Sequence, residues 1–154
     1  MGYFFGFKLH LIINQYGQFV RFQLTKGNVA DNNADLLRHI LQDIEQTIYG
    51  DRGYLTKIID GLKVRGNCLI TKVKNKMKAP QRTPKENYYL RKRGLIETVF
   101  DQLVNQLNIE HSRHRSPKNF LSNLWSGLIA YAFKSTKPQI APFEQVKLDD
   151  IVLI

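Results

Sequence analysis

A chain of 154 residues carrying a net charge of +10 has room for one domain with a real hydrophobic core and is too short for two comfortable ones. Its 43% apolar and 23% charged residues sit near the globular average and exclude collagen-like and wholly disordered chains. The sequence has neither a run of roughly 18 apolar residues for a membrane span nor a basic leader with a small-residue cleavage site. Its single cysteine, Cys68, excludes an internal disulfide and argues against a cysteine zinc site, so a reducing cytoplasm is expected.

Residues 3 to 14 alternate, with Phe5, Phe7, Leu9, Leu11 and Ile13 on one side and Gly6, Lys8, His10 and Asn14 on the other. That period of two predicts a half-buried strand whose Lys8 and His10 face solvent. After the break at Gln15, Tyr16 and Gly17, Val20, Phe22 and Leu24 alternate with Arg21, Gln23 and Thr25, the second arm of a hairpin. Gly27 and Asn28 end it. Asp31 stands where a helix N-cap belongs, ahead of Leu36, Leu37, Ile40, Leu41 and Ile44 at spacings of three and four.

Ile48 and Tyr49 predict a brief strand ending in the Gly50-Asp51 turn, followed by a helix around Leu55 to Val64 and a strand at Cys68 to Val73. Pro80 and Pro84 mark the segment Lys74 to Asn87 as a loop. Ile96, Val99, Phe100, Leu103 and Leu107 then recur with helical period inside a long helix from Tyr89 to Leu107. Ser116 and Pro117 open another through Leu121, Leu124, Trp125, Leu128 and Ala132, with Trp125 on the apolar face. The tail beyond Ser135 is punctuated by proline and predicts loose attachment. A hairpin, then alternating helix and strand, then helices make a mixed α/β domain over residues 1–134, with a tail at 135–154.

The charge is concentrated. Between Lys72 and Arg93 lie Lys72, Lys74, Lys76, Lys78, Arg82, Lys85, Arg91, Lys92 and Arg93 against one acid, Glu86. The rest of the chain is nearly balanced, so this is an ordinary domain with one strongly basic element, centred on a loop at 72–88. A polyanion such as nucleic acid is the natural partner, and a solvated surface loop is the plainer account.

Two acids stand out. Asp51, in Gly50-Asp51-Arg52-Gly53-Tyr54, follows a short strand, where a side chain projects from the carboxyl end of a sheet; a turn former or helix cap is the simpler role. Glu97 borders the apolar stripe of the long helix one turn after Arg93. Its simpler role is an exposed ion pair with Arg93, worth about 0.3–0.5 kcal/mol.

With their surroundings, these residues resemble the insertion-sequence transposases that have a DDE (Asp-Asp-Glu) catalytic domain. The matching stretches are Tyr3-Phe4-Phe5-Gly6-Phe7-Lys8-Leu9-His10-Leu11-Ile12, Thr25-Lys26-Gly27-Asn28-Val29, Gly50-Asp51-Arg52-Gly53-Tyr54, Arg91-Lys92-Arg93 with Ile96-Glu97-Thr98-Val99, and Glu110-His111-Ser112-Arg113-His114-Arg115-Ser116. The resemblance implies an RNase H-like mixed sheet flanked by helices, in which three carboxylates hold two divalent ions, Mg²⁺ or Mn²⁺, and cleave and join DNA at transposon ends and target.

By that resemblance Asp51 is the second acid and Glu97 the third, and both are metal ligands. Arg93 matches a basic residue expected one turn before the third acid, whereas Val104 stands where a lysine is expected about two turns after it. Hard cations take oxygen ligands, which suits carboxylates, and paired ions stabilise both the attacking and the leaving oxygen of an in-line displacement. The family's first aspartate lies on a strand ahead of the hairpin. These residues contain no counterpart, since Asp31 and Asp35 come later and on another element. The expectation is therefore a domain without its first strand, inactive alone, with an open sheet edge that a second copy could occupy.

DNA contacts are expected from Lys72, Lys74, Lys76, Lys78, Arg91, Lys92 and Arg93, and from Arg113 and Arg115, whose guanidinium forks suit phosphate. His111 and His114 are too few for zinc. The expected location is cytoplasmic, on the nucleoid. The alternative to an enzyme domain is a non-catalytic basic DNA-binding remnant.

Overall fold

The computed structural model describes residues 6–54, 68–72, 80–110, 113–143 and 151–154. Among these residues five strands form one mixed sheet in the order β2-β1-β5-β3-β4. Strands β1 (Phe7–Asn14) and β2 (Phe19–Lys26) are the expected antiparallel hairpin, in register from Phe7 opposite Lys26 to Ile12 opposite Arg21. At the turn, Asn14 Oδ1 accepts from the amides of Tyr16 and Gln18, both at 3.0 Å. Gly17 has φ +67, and a Cβ there would meet the carbonyl oxygen of Pro138 at 2.5 Å. The left-handed turn and the close approach of the later chain both require glycine.

Strand β3 (Thr47–Gly50) runs parallel to β4 (Cys68–Thr71) on one side and to β5 (Ile151–Leu153) on the other. β5 also pairs antiparallel with β1, at Ile13 opposite Leu153 and Asn14 opposite Val152. Here the structure departs from the expected open edge beside β1 and from a loosely attached chain end. The position next to β1 is filled by the last residues, and Val152, Leu153 and Ile154 are buried. Ile140 is buried as well, its amide donating to Gln15 at 2.9 Å.

Helices cover both faces of the sheet. Helix α1 (Ala34–Ile40) lies over Ile12, Ile48, Leu69, Val152 and Ile154. The other face packs Leu11, Ile13, Tyr49 and Leu153 against α2 (Pro84–Lys92), α3 (Leu95–Asp101), a single π-helical segment at Gln102–Gln106 and α4 (Pro117–Ala132). β1 is therefore buried on both sides in its second half rather than half-buried. His10, expected in solvent, is 1% exposed with Nε2 3.0 Å from Thr25 Oγ1, and burial holds its imidazole below the usual histidine range.

Three local readings change for physical reasons. Asn33, not Asp31, caps α1, its side chain accepting from the amides of Asp35 and Leu36; Asp31 instead accepts from Lys8 Nζ at 3.1 Å. The long helix is divided. Thr83 opens α2 with a capping box to Glu86, so the loop ends four residues earlier than expected, and Gly94 separates α2 from α3. Trp125, placed in the core by its spacing, is 48% exposed and meets Phe22 in a T-shaped contact, with ring centroids 5.1 Å apart. The helix expected at Leu55 to Val64 lies outside the described residues. Among the described residues no helix is long and apolar enough to cross a membrane.

Candidate active site

Three parallel strands set the position of Asp51. Thr47 to Tyr49 lie level with Ile151 to Leu153 on one side, and Thr47 to Gly50 lie level with Cys68 to Thr71 on the other. Asp51 is thus the first residue past the carboxyl end of β3, followed by a 3₁₀ turn at Arg52–Tyr54 closed by the Tyr54 amide on the Asp51 carbonyl at 3.1 Å. Gly50 keeps this end narrow. A Cβ there would stand 3.1 Å from Ile154 Cγ2 and 3.3 Å from Leu69 Cδ1.

Glu97 reaches the same place from the helical layer. Helix α2 carries Tyr89 into the core, where its ring lies 5.6 Å from that of Tyr49, two residues before Asp51. Leu95, Ile96 and Val99 anchor α3 in the same core. Between the helices the backbone stays right-handed through Arg93 and Gly94, and the amides of Ile96 and Glu97 donate to the Arg93 and Gly94 carbonyls at 3.1 Å. That tight junction places Arg93 and Glu97 at the end of β3.

The two acids share one cation. Arg93 Nη2 lies 3.1 Å from Asp51 Oδ1 and Nη1 lies 3.3 Å from Glu97 Oε1. The Arg93 side chain is 17% exposed, against 54% for Asp51 and 71% for Glu97. Arg93 Nε is buried and has no hydrogen-bond partner among the described residues. The expected pairing of Arg93 with Glu97 is present. The reach of the same guanidinium to Asp51 has no local signal in the sequence, because a helix and a sheet end must first be docked.

Tyr54 and Asp31 adjoin this cluster, although no local sequence signal joins them to it. The Tyr54 phenol is pushed up to about 12, first by burial and then by the negative charges of Asp31 and Asp51. A Cβ on Gly53 would stand 3.5 Å from Asp31 Oδ2. Among the described residues no three His, Cys, Asp or Glu side chains form a group that could hold a metal ion.

The described basic residues divide between this site and other surfaces. Lys72 follows Thr71, which pairs with Gly50, so it lies exposed at the same sheet end as Asp51. Arg91 and Lys92 are exposed on the last turn of α2, directly before Arg93. Arg82 turns inward, donating to the Thr71 carbonyl at 2.7 Å. Arg113 and Arg115 are exposed ahead of α4, whereas the ion pairs of Asp51 and Glu97 are with Arg93. Lys74, Lys76, Lys78 and His111 lie outside the described residues.

The donor chemistry fits one hard divalent cation, which is commonly held by one or two carboxylates and keeps several waters. Among the described residues it does not provide the bridging acid that a pair of ions requires. No curated protein and no solved structure matches the chain. The family described as transposase DDE domain matches residues 1–117, a span that includes the hairpin, Asp51, Arg93 and Glu97. The chain belongs to the transposase DDE domain family.

Proposed function

We propose that this chain is catalytic-domain material of a DNA transposase, acting in metal-dependent phosphoryl transfer on DNA strands, with Asp51 and Glu97 as carboxylate ligands of Mg²⁺ or Mn²⁺. The observation that carries this reading is the convergence of both acids on the Arg93 guanidinium. Two carboxylates from separate elements that reach one guanidinium offer oxygen donors of the kind a hard divalent ion takes. A bound divalent ion supplies Lewis acidity toward phosphate oxygens.

This chain's own residues would hold the ligands of that ion in place. β3 holds Asp51 at the sheet end, the junction of α2 and α3 holds Glu97 beside it, and the apolar layer beneath them keeps the two backbones in place. Lys72, Lys74, Lys76, Lys78, Arg91, Lys92, Arg93, Arg113 and Arg115 form the basic set proposed to meet DNA phosphates. Two acids give too few oxygen ligands for a pair of ions, so the 154 residues alone are proposed to lack efficient strand transfer. An RNase H-like arrangement and a cytoplasmic, nucleoid-associated setting belong to the same proposal.

The test is a Mn²⁺ titration followed by the electron paramagnetic resonance of the free ion. Asp51→Asn and Glu97→Gln should each weaken Mn²⁺ binding by about tenfold or more, on the scale of losses seen at metal sites. DNA binding by the same variants should keep a linear fall of log K with log salt. Unchanged Mn²⁺ binding in both variants would refute the metal site and leave the non-catalytic DNA-binding remnant as the account.

A further inference from the structure

Arg93 is placed at the expense of its own hydrogen bonding. Its two terminal nitrogens go to different carboxylates, one on α3 and one beyond β3, while Nε is buried with no partner among the described residues. A guanidinium left to satisfy itself would engage one carboxylate through two parallel bonds. Here it is spread between two, and it carries no lone pair for a metal. It occupies one oxygen of each carboxylate, Asp51 Oδ1 and Glu97 Oε1, and its charge repels a second cation at either.

We infer that Arg93 is the resident counter-cation of the Asp51 and Glu97 pair, and that a divalent ion enters only by displacing it. The inference rests on reading those acids as metal ligands. Arg93 then has two effects. It neutralises the two carboxylates, whose separation packing sets, when no metal is bound, and it lowers metal affinity by competing for them. Lysine cannot reproduce this, because a single ammonium on a flexible stem lacks the fork that spans two acceptors.

Mn²⁺ titration of the full chain and its variants tests the inference without any activity measurement. Arg93→Gln should bind Mn²⁺ about tenfold more tightly than the native chain. Arg52→Gln removes the same charge from the exposed residue beside Asp51 and should change the affinity no more than about two- to threefold at physiological salt. Arg93→Gln binding Mn²⁺ no more tightly than the native chain, or no more tightly than Arg52→Gln, would overturn the inference.

If circular dichroism shows Arg93→Gln to be unfolded, Arg93→Lys decides instead: a severalfold gain supports displacement, and no gain overturns it. Failure of the ligand reading is recognised separately, since Asp51→Asn and Glu97→Gln would then bind Mn²⁺ as the native chain does. In the native chain, Mg²⁺ should also free the Arg93 side-chain nitrogens, seen as faster guanidinium rotation by nitrogen NMR. Unchanged rotation at saturating Mg²⁺ would overturn the inference as well.

Discussion

Leu153→Ala tests whether the end of the chain is part of the core. Leu153 is fully buried, next to Leu11, Ile13 and Tyr49 in the larger cluster, on a strand hydrogen-bonded on both sides. Leu-to-Ala changes in cores cost about 2–5 kcal/mol, more where the surroundings cannot collapse into the space. Flanking strands resist such collapse, which puts the expected loss near 3–4 kcal/mol. For a chain of this size that lowers the Tm by about 6–16 °C.

Urea unfolding followed by circular dichroism should show the midpoint falling with the m-value unchanged. Phe133→Ala provides the surface comparison, since Phe133 is 85% exposed, and should stay within about 0.5 kcal/mol of native. A loss under about 0.5 kcal/mol for Leu153→Ala would show that β5 does not hold the middle of the sheet, and the two-sided core described above would be wrong.

Gly127→Ala should destabilise although it lies within a helix. Alanine favours the helix by up to about 1 kcal/mol, but a Cβ at Gly127 would run into Ile109 Cγ2, and overpacking costs about 1–3 kcal/mol. The change should become neutral or stabilising in an Ile109→Ala background, a coupling measured by a double-mutant cycle in urea; equal effects in both backgrounds would count against the contact. His10 predicts a pH dependence. Its folded-state pKa is lowered by burial, so below about 6.5 the unfolded chain binds more protons. Stability from this group is complete above that value and is lost as pH falls toward the folded pKa, with a slope of at most about 1.4 kcal/mol per pH unit. His10→Asn should remove that part of the acid sensitivity, and an unchanged urea midpoint profile between pH 7.5 and 5.5 would contradict it.

Elements with strong local signals were legible from residues alone. The alternation through Leu11 and Ile13 gives β1, the turn at Gly17 gives the hairpin, and Ser116 with Pro117 marks the start of α4. What stayed illegible depends on contacts between distant parts of the chain. Ile151, Val152 and Leu153 form a short apolar run that looks like any tail, and only the gap between β1 and β3 makes it a strand. His10 reads as polar and outward because alternation cannot report that Thr25 meets its ring and that α1 packs on Ile12 along the same face. The division at Gly94 is hidden by an apolar period that continues across it. For the site, Asp51 and Glu97 were legible through family resemblance, and the Arg93–Glu97 pair through helix spacing. The Arg93–Asp51 contact was not.

The polar rim follows from the apolar layer beneath it. Tyr49 and Tyr89 pack ring against tilted ring in the core, Leu95, Ile96 and Val99 fix α3 against the same surface, and Asp51 and Arg93 each lie a few residues beyond one of these anchors. Two partly exposed carboxylates would gain little from an isolated surface ion pair, so the ion pairs cannot be what holds these elements together. The core sets the separation of the acids, and the electrostatics respond to it. A group that enters between Asp51 and Glu97 therefore finds a spacing already fixed by packing, which is the condition under which a cation can exchange for Arg93 without rebuilding the fold.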